Sequence, residues 1–492
     1  MCIKKEAAMG AYTVPEEIRR MKPKGTTVKV VNGGYYVYTN SRHKDEVSGK
    51  WKTDPGKLLG KIVEGVGYIP KGTRSEGGAV TVYDYGEYLL ACTLCIDDLD
   101  ILKECFNADE AMQLFSLAMI FAFEGYIGLR PSEDIYARTL IAHDYPELKY
   151  SYHRISRLLS AVGRGDKILE FQKKCVERAE TLAVDGHVIP SDSRCSDLSF
   201  NGYKAKEAKG EQMNLLVALD VDTHLPVATK VFPGYMVDKS DFSEFVAPLG
   251  DIKGKLFIMD TGFYSEENTG LLTEKGADYI MPLSCNLKAY KAAVKPTKGR
   301  RPQFLYSVQS KTDLVEYREC TPEGGARTIV FQNMSEKEKL TKEYLKKIEE
   351  GSKGHTPEGL ERQKDTFGLV VLETSLGVRA EDVYRYYKAR WSIETYYDRI
   401  KNSISFSELN PSEYGMVQAI AFVMMLTGRI DQRILAAARK VNKTSKDLVR
   451  LMNALKLYAN GNSSCLCNTK NEHIDIAEKL GLSFDTSKKC LG

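Results

Sequence analysis

Five apolar runs between residues 182 and 283 constrain the fold of this chain more than any other feature. They occupy residues 182–185, 214–220, 225–232, 256–260 and 278–283. The second and third are spaced as a hairpin around Asp222-Thr-His, and helical connections such as 263–276 fit between the later runs. Strands in series followed by strands separated by helices predict a mixed α/β sheet covered by helices.

The first of these runs ends in Asp185 and the fourth in Asp260. An aspartate at the end of a buried strand is exposed at the sheet edge and held by a rigid element. If the two strands are neighbours, the two carboxylates lie close enough to share a hard cation. The alternative for each is a common structural role of Asp, which caps strand ends and forms turns.

The segment from Tyr387 to Lys401 predicts one packed helix with two stripes. The apolar stripe consists of Ala389, Ile393, Tyr396 and Ile400. Beside it lies a second stripe of charged and polar side chains, made of Tyr387, Arg390, Glu394 and Lys401. Glu394 would bring a third oxygen ligand to the two aspartates, a set that suits Mg²⁺ or Mn²⁺. The alternative is a solvated helix face with ion pairs at helical spacing.

The composition of the chain argues against several classes of protein. The net charge is only +4, so the molecule as a whole is not a strongly basic DNA coat, although the first 75 residues are rich in Lys and Arg. No apolar run reaches the roughly 18–20 residues that span a bilayer, and the N-terminus lacks the apolar stretch of a signal peptide. The eleven cysteines are scattered and predict reduced thiols. We therefore expect a cytoplasmic protein with no membrane partner.

These motifs together resemble a known family. The spacing of Tyr387, Arg390, Glu394 and Lys401 matches the Tyr-x2-Arg-x3-Glu-x6-Lys signature of one branch of DDE-type insertion-sequence transposases. Val184-Asp185-Gly-His resembles the first-aspartate motif of that branch, and Ile258-Met-Asp260-Thr-Gly-Phe resembles the second. Thr261 is a departure, since relatives often carry Arg there. The resemblance covers residues 180–405 well.

The resemblance implies a prokaryotic, nucleoid-associated enzyme of a mobile element with a ribonuclease H-like core. Asp185, Asp260 and Glu394 would be catalytic and would bind Mg²⁺ or Mn²⁺, as two ions. Arg390 and Lys401 would contact DNA phosphates, and Tyr387 would help hold the DNA. The implied partners are double-stranded DNA, as the terminal inverted repeats of the element and as target DNA, and a second protomer in a homodimer on DNA.

Three alternatives stay open. Asp192 also follows an apolar stretch and could replace Asp185 as the first carboxylate, although Pro190 makes its strand less regular. Asp260-Thr-Gly262 is also the aspartic-protease triplet, which needs two carboxylates sharing one proton. A catalytically inactive or domesticated relative would bind DNA without cutting it.

The predicted fold is a mixed five-stranded sheet with flanking helices, interrupted by a β-rich insertion. An N-terminal β-rich and helical region precedes it, with a hairpin at 26–40 around Asn32-Gly33-Gly34, and a C-terminal helical tail follows. The predicted divisions are a basic β-rich module at 1–100, a DNA-binding helical region at 101–178, the first part of the catalytic core at 179–285, an insertion at 286–375, the catalytic helix at 376–405 and the helical region at 406–492.

Overall fold

A computed structural model describes most of the chain as two compact units. The described residues are 14–31, 34–40, 42–44, 50–53, 56–63, 67–71, 81–191, 193, 197–201, 210–236, 238–295, 306–309, 313–321, 325–406, 411, 413–460 and 463–484. One unit is Met1–Thr81 with Ala459–Ser464, and the other is Val82–Tyr458 with Cys465–Gly492. The candidate site residues all belong to the second unit.

The first unit contains a small four-stranded sheet of order β1-β2-β5-β6. Its elements are α1 Glu16–Arg20, β1 Thr26–Val31, β2 Gly34–Thr39, β3 Arg42–Lys44, β4 Trp51–Thr53, β5 Leu58–Val63 and β6 Gly67–Pro70. The antiparallel pairing of Val31 with Gly34 confirms the predicted hairpin, whose turn residues Asn32 and Gly33 lie outside the described residues. Ile18, Val37 and Ile62 form the core of this unit.

Helices dominate the next stretch of chain. The elements are β7 Thr81–Asp84, α2 Gly86–Leu94, α3 Ile96–Cys105, α4 Ala108–Glu124, α5 Leu129–Tyr136, α6 Leu140–Asp144, α7 Tyr152–Val162 and α8 Lys167–Glu177. A capping box formed by Asn107 and Glu110 starts α4. Among the described helices, none alone is long and apolar enough to cross a membrane; α4 and α5 pass that test only as a pair, bent by 95°.

The strands that carry the two aspartates form a mixed sheet, as predicted. Its elements are β8 Thr181–Pro190, β9 Phe200–Asn201, β10 Glu211–Asp220, β11 Pro226–Pro233, α9 Asp238–Val246, β12 Leu256–Met259, a 3₁₀ turn Thr261–Phe263, α10 Glu266–Glu274 and β13 Asp278–Pro282. β10 runs antiparallel to both β8 and β11. β12 runs parallel to β8 on one side and to β13 on the other.

The predicted limit of five strands is wrong, because the insertion continues the same sheet. Its elements are α11 Lys288–Val294, β14 Tyr306–Gln309, β15 Leu314–Glu319, β16 Arg327–Asn333, α12 Met334–Glu349, α13 Pro357–Gln363 and β17 Leu369–Thr374. β17 pairs antiparallel with β13 and supplies partners to an edge that would otherwise be open. The described sheet has ten strands in the order β11-β10-β8-β12-β13-β17-β16-β15-β14, with β9 on β10.

Helices make up most of the remaining chain, and they differ from expectation in two places. The elements are α14 Ala380–Ala389, α15 Trp391–Asn402, α16 Tyr414–Lys440, α17 Ser445–Asn453, β18 Lys456–Asn460, β19 Ser463–Cys467 and α18 Asn471–Leu480. The single helix predicted over 387–401 is two helices that meet at Arg390. The predicted tail contains α16, which is a core helix, with 18 of its 27 residues buried. It packs on α4, α7 and β11.

Candidate active site

Asp185 lies inside a strand and not at its end, which corrects the sequence interpretation. β8 continues for five more residues to Pro190. What changes at Asp185 is burial, because residues 181–184 are buried and residues 185–188 are only half-buried. The apolar run therefore ends where β8 becomes partly exposed, although Ile189 is buried again. Asp192, the alternative first carboxylate, lies outside the described residues.

Asp260 directly follows β12, as predicted, and precedes the 3₁₀ turn. The parallel register pairs Met259 with Val184, so Asp260 and Asp185 are the next residues along two neighbouring strands. Neighbouring strands lie about 4.8 Å apart. Both aspartates are half-buried. The sheet thus places the two carboxylates side by side.

The apolar stripe packs α15 against the core, as the sequence predicts. Ile393, Tyr396 and Ile400 are buried, while Ala389 is half-buried at the end of α14. The backbone between the two helices tightens, because the N–H of Arg390 donates to Tyr387 and the N–H of Ile393 donates to Arg390. Such i→i+3 bonds are of the 3₁₀ type and interrupt the α-helical ladder. The segment therefore forms two separate helices, α14 and α15, and not one continuous helix.

Tyr397 ties α15 directly to the strand of the first aspartate. Its hydroxyl donates to the backbone carbonyl of Asp185 at 2.8 Å and lies 3.4 Å from that of Leu215. Its ring stacks on His187, with centroids 4.9 Å apart. Sequence reasoning missed this residue. Its spacing of four from Ile393 is the signal that could have extended the apolar stripe to include it.

Two further contacts fix α15 on α16. Arg399 makes a bidentate ion pair with Asp431, with both N–O distances 2.6 Å. The ring of Tyr396 lies directly over Gly428, so close that a Cβ there would fall 2.6 Å from the ring carbon Cε2. An alanine at position 428 would therefore force the Tyr396 ring or the helix to shift. These contacts hold the helix that carries Glu394.

Arg390 and Glu394 form an ion pair at helical spacing, with 2.6 Å between Nη2 and Oε1. The pair is not the solvated surface pair of the alternative interpretation, since the Arg390 side chain is only 13% exposed and that of Glu394 33%. Burial of a guanidinium costs free energy unless anions surround it. The anionic groups near Arg390 therefore determine whether burial of this ion pair is favourable.

Arg390 interacts electrostatically with the three candidate carboxylates. Burial acts to lower the pKa of Arg390, but electrostatic interactions with Asp260, Tyr387, Glu394 and Asp185 outweigh it and raise that pKa. Burial raises the pKa of the Tyr387 hydroxyl, and Asp260 and Glu394 add to the rise while Arg390 opposes it. The five residues thus share one electrostatic environment.

Lys401 lies apart from this cluster. It is exposed near the end of α15, seven residues after Glu394. That spacing is two helical turns, or about 10 Å along the helix axis. An extended ligand at this surface would therefore contact Lys401 and Arg390 at different places.

The donor set fits a hard divalent cation in its chemistry. Three carboxylates supply the oxygen ligands that Mg²⁺ and Mn²⁺ prefer, and the strand register brings two of them together. Within the described residues, however, no three His, Cys, Asp or Glu side chains are grouped closely enough to hold an ion. Glu394 is bonded to Arg390 instead.

The structure is that of a mixed α/β protein with two aspartates aligned on neighbouring strands and a glutamate on a helix packed against them. The family model described as transposase DDE domain matches residues 177–426, about half of the 492-residue chain. The chain belongs to the family of transposases with a DDE domain.

One solved structure that resembles the chain is that of the piggyBac transposase synaptic complex with hairpin DNA. The TM-score is 0.43 and the sequence identity 11%, and the match covers 82% of this chain and 87% of the other. Among curated proteins, none matches the chain significantly.

Proposed function

We propose that this protein is the DNA transposase of an insertion sequence, which binds the ends of its element and catalyses Mg²⁺-dependent strand cleavage and strand transfer. The observation that carries the proposal is the strand register that aligns Asp185 with Asp260, together with the bond from Tyr397 that packs the helix of Glu394 against the strand of Asp185. A stabilising surface network would not require three carboxylates from two strands and a separately packed helix.

A ribonuclease H-like core is part of this proposal. The sheet supports it, because β11, β10 and β8 are antiparallel neighbours and β12 and β13 run parallel to β8. Glu394 reaches the same region from a helix that follows the insertion strands. The core would therefore be assembled from two chain segments separated by the insertion.

Asp185, Asp260 and Glu394 would hold the metal, as two Mg²⁺ or Mn²⁺ ions. Bound there, paired ions would activate a water or a 3′-hydroxyl for attack and stabilise the leaving oxygen of the phosphodiester. The protein supplies the rigid frame: β8 and β12 fix the two aspartates in register, and Tyr397 holds α15 against the carbonyl of Asp185. Rigid support of this kind is what a catalytic geometry requires.

Arg390, Lys401 and Tyr387 would contact the DNA. Arg390 can bind a phosphate bidentately beside the carboxylates, and exposed Lys401 can meet a second phosphate about two helical turns beyond Glu394. The half-buried ring of Tyr387 is suited to a stacking or van der Waals contact. Double-stranded DNA at the terminal inverted repeats and at the target would be the substrate, handled by a homodimer.

Changing Glu394 to Gln tests the proposal. The amide keeps the size of the side chain but removes the charge a divalent ion needs, so strand cleavage should fall by at least about 100-fold. DNA binding should persist, because the proposed phosphate contacts remain. Cleavage of labelled duplexes that carry the inverted repeats of the element, with binding measured by mobility shift, provides both quantities.

Asp398→Asn is the matched control, since Asp398 lies one turn further along α15 and is exposed. It should cleave as the wild type does. Cleavage by Glu394→Gln at the wild-type rate would contradict the catalytic assignment. Wild-type protein that binds these duplexes but never cuts them identifies the inactive relative, and proteolysis that survives EDTA identifies the aspartic-protease alternative.

A further inference from the structure

Glu373 is a buried carboxylate that the proposed chemistry does not use. It lies near the end of β17 with 8% of its surface exposed, after buried Val371 and Leu372. Among the described residues it has no ion pair with a Lys, Arg or His. A buried carboxylate without a counter-ion costs free energy unless hydrogen bonds satisfy both oxygens. An apolar side chain would suit this strand position better for stability alone.

Two tyrosines satisfy the two oxygens of Glu373. The Tyr264 hydroxyl donates to Oε2 at 2.9 Å, and the Tyr279 hydroxyl donates to Oε1 at 3.1 Å. Burial raises the pKa of both hydroxyls, and Glu373 adds to the rise, so both tyrosines keep their protons and remain donors. The carboxylate is therefore held at both ends by groups that reach it from different elements.

The two tyrosines differ in what they connect. Tyr264 directly follows the 3₁₀ turn that Asp260 precedes, and its N–H donates to the carbonyl of Thr261 within that turn. Tyr279 lies on β13, which already pairs with β17 through main-chain hydrogen bonds. The bond to Tyr279 thus repeats an existing connection, whereas the bond to Tyr264 joins the Asp260 turn to β17.

β17 leads directly into the helices of the site. Only residues 375–379 separate it from α14, whose last residues include Tyr387 and which is followed by Arg390. The side chains after Glu373 fasten this end of β17 to β13, since the Thr374 hydroxyl donates to the Tyr279 carbonyl at 2.7 Å. Glu373 therefore lies where the Asp260 turn, β13 and the approach to α14 meet.

We propose that Glu373 is a positioning residue that acts through Tyr264 to fix the Asp260 turn for metal binding. This inference rests on the proposed function, because it takes Asp260 as a metal ligand. Partners that orient a ligand from outside the coordination shell commonly contribute 10–100-fold in metal affinity. The bond from Tyr264 should contribute in this way, and the bond from Tyr279 should not.

Tyr264→Phe and Tyr279→Phe make a matched pair for the test. Each removes one hydroxyl bonded to the same carboxylate and changes nothing else in composition. Binding of Mn²⁺ alone to the full-length protein, followed by electron paramagnetic resonance of the free ion, should weaken about tenfold for Tyr264→Phe. For Tyr279→Phe the Mn²⁺ affinity should stay within about twofold of the wild-type value. DNA cleavage should fall in Tyr264→Phe and change little in Tyr279→Phe.

Glu373→Gln is a second variant that keeps the size of the side chain and should weaken Mn²⁺ binding as Tyr264→Phe does. Near-ultraviolet circular dichroism reports whether each variant keeps its packing. Wild-type Mn²⁺ affinity in Tyr264→Phe, or equal weakening in both tyrosine variants, would overturn the positioning role. A wild-type protein that binds no Mn²⁺ and cuts no DNA would instead overturn the proposed function itself, and the role of Asp260 with it.

Discussion

Arg390 is the residue on which the acidic groups of the site converge. Its side chain is almost enclosed, it bonds to Glu394 at 2.6 Å, and Asp260 and Asp185 add to the negative field around it. Without a cation at this place, the carboxylates would repel one another and their charged forms would be disfavoured. The positive charge of Arg390 thus offsets the repulsion among these carboxylates.

The sequence could predict the ion pair between Arg390 and Glu394 but not its burial. The spacing of Arg390 and Glu394 predicts an ion pair on any helix, so the sequence left open a solvated face. Only the three-dimensional packing distinguishes a surface pair from one enclosed by other carboxylates. The partners of Glu373 were beyond prediction for the same reason, because Tyr264 lies more than a hundred residues away in the chain.

Glu87 is a second buried acid with a measurable consequence. It is 2% exposed at the start of α2 and accepts a hydrogen bond from Asn453. Burial raises its pKa from 4.5 to about 7, with Asn453 and Lys456 opposing the rise and Asp84 adding to it. The folded protein therefore binds a proton between pH 4.5 and 7 that the unfolded chain has lost.

Stability should fall as the pH rises through that window, because the unfolded state binds fewer protons there. We expect Glu87→Gln to remove this loss and to melt at a higher temperature than the wild type at pH 8, with a smaller difference at pH 5. A shift of this size corresponds to at most about 3 kcal/mol. Melting temperatures of both proteins across this pH range provide the measurement.

Glu478→Gln is the control, since Glu478 is exposed on α18. Its melting temperature should follow that of the wild type at every pH. A Glu87→Gln protein whose difference from the wild type does not change with pH would show that Glu87 is not the titrating group.

Among the elements, α15 shows what a periodic pattern predicts and what it leaves out. The stripe of Ile393, Tyr396 and Ile400 predicted the buried face correctly. The break at Arg390 was not predictable, because the segment carries neither proline nor glycine to mark it. Nor did the pattern indicate that Tyr396 would lie on a glycine of a helix further along the chain.

Gly428→Ala tests how closely α15 must approach α16. The added methyl group would meet the Tyr396 ring, and overpacking of this kind costs about 1–3 kcal/mol. Since α15 must move to relieve the contact, DNA cleavage should fall together with the melting temperature. Both are measured on the purified variant.

Gly270→Ala is the matched control on α10, where an added Cβ meets nothing within 4 Å. Alanine is the better helix former, so this variant should be as stable as the wild type or more stable by about 0.5–1 kcal/mol. If both glycine variants behave alike, the close approach at Gly428 is not what positions α15.

In the whole molecule, α16 joins regions that are distant in sequence. The Gln418 side chain bonds to both the N–H and the carbonyl of Val231 on the edge strand β11. Arg429 is buried against Asp98 of α3 and also donates to the carbonyl of Pro226. The sequence indicated a helix here, but the long-range contacts that make it central depend on residues hundreds of positions apart.

A chain truncated after Phe406 would keep every motif that the sequence associates with catalysis. We expect it not to fold cooperatively, because it loses the buried face of α16 and leaves Asp98 as a buried acid without its partner. Breaking one such buried pair alone costs about 3–5 kcal/mol. Differential scanning calorimetry should show no cooperative transition, with the full-length chain as reference. A truncated chain with a sharp transition would contradict the central role of α16.

The seating of α15 on α16 also sets when the site can exist during synthesis. Asp185 and Glu394 lie about 200 residues apart, and long-range contacts of this kind form late in folding. Glu394 is held in place only once Gly428 and Asp431 have left the ribosome and α16 has packed. A nascent chain therefore contains both aspartates long before the position of Glu394 is fixed, so these residues are brought together only after α16 has been synthesised and has packed.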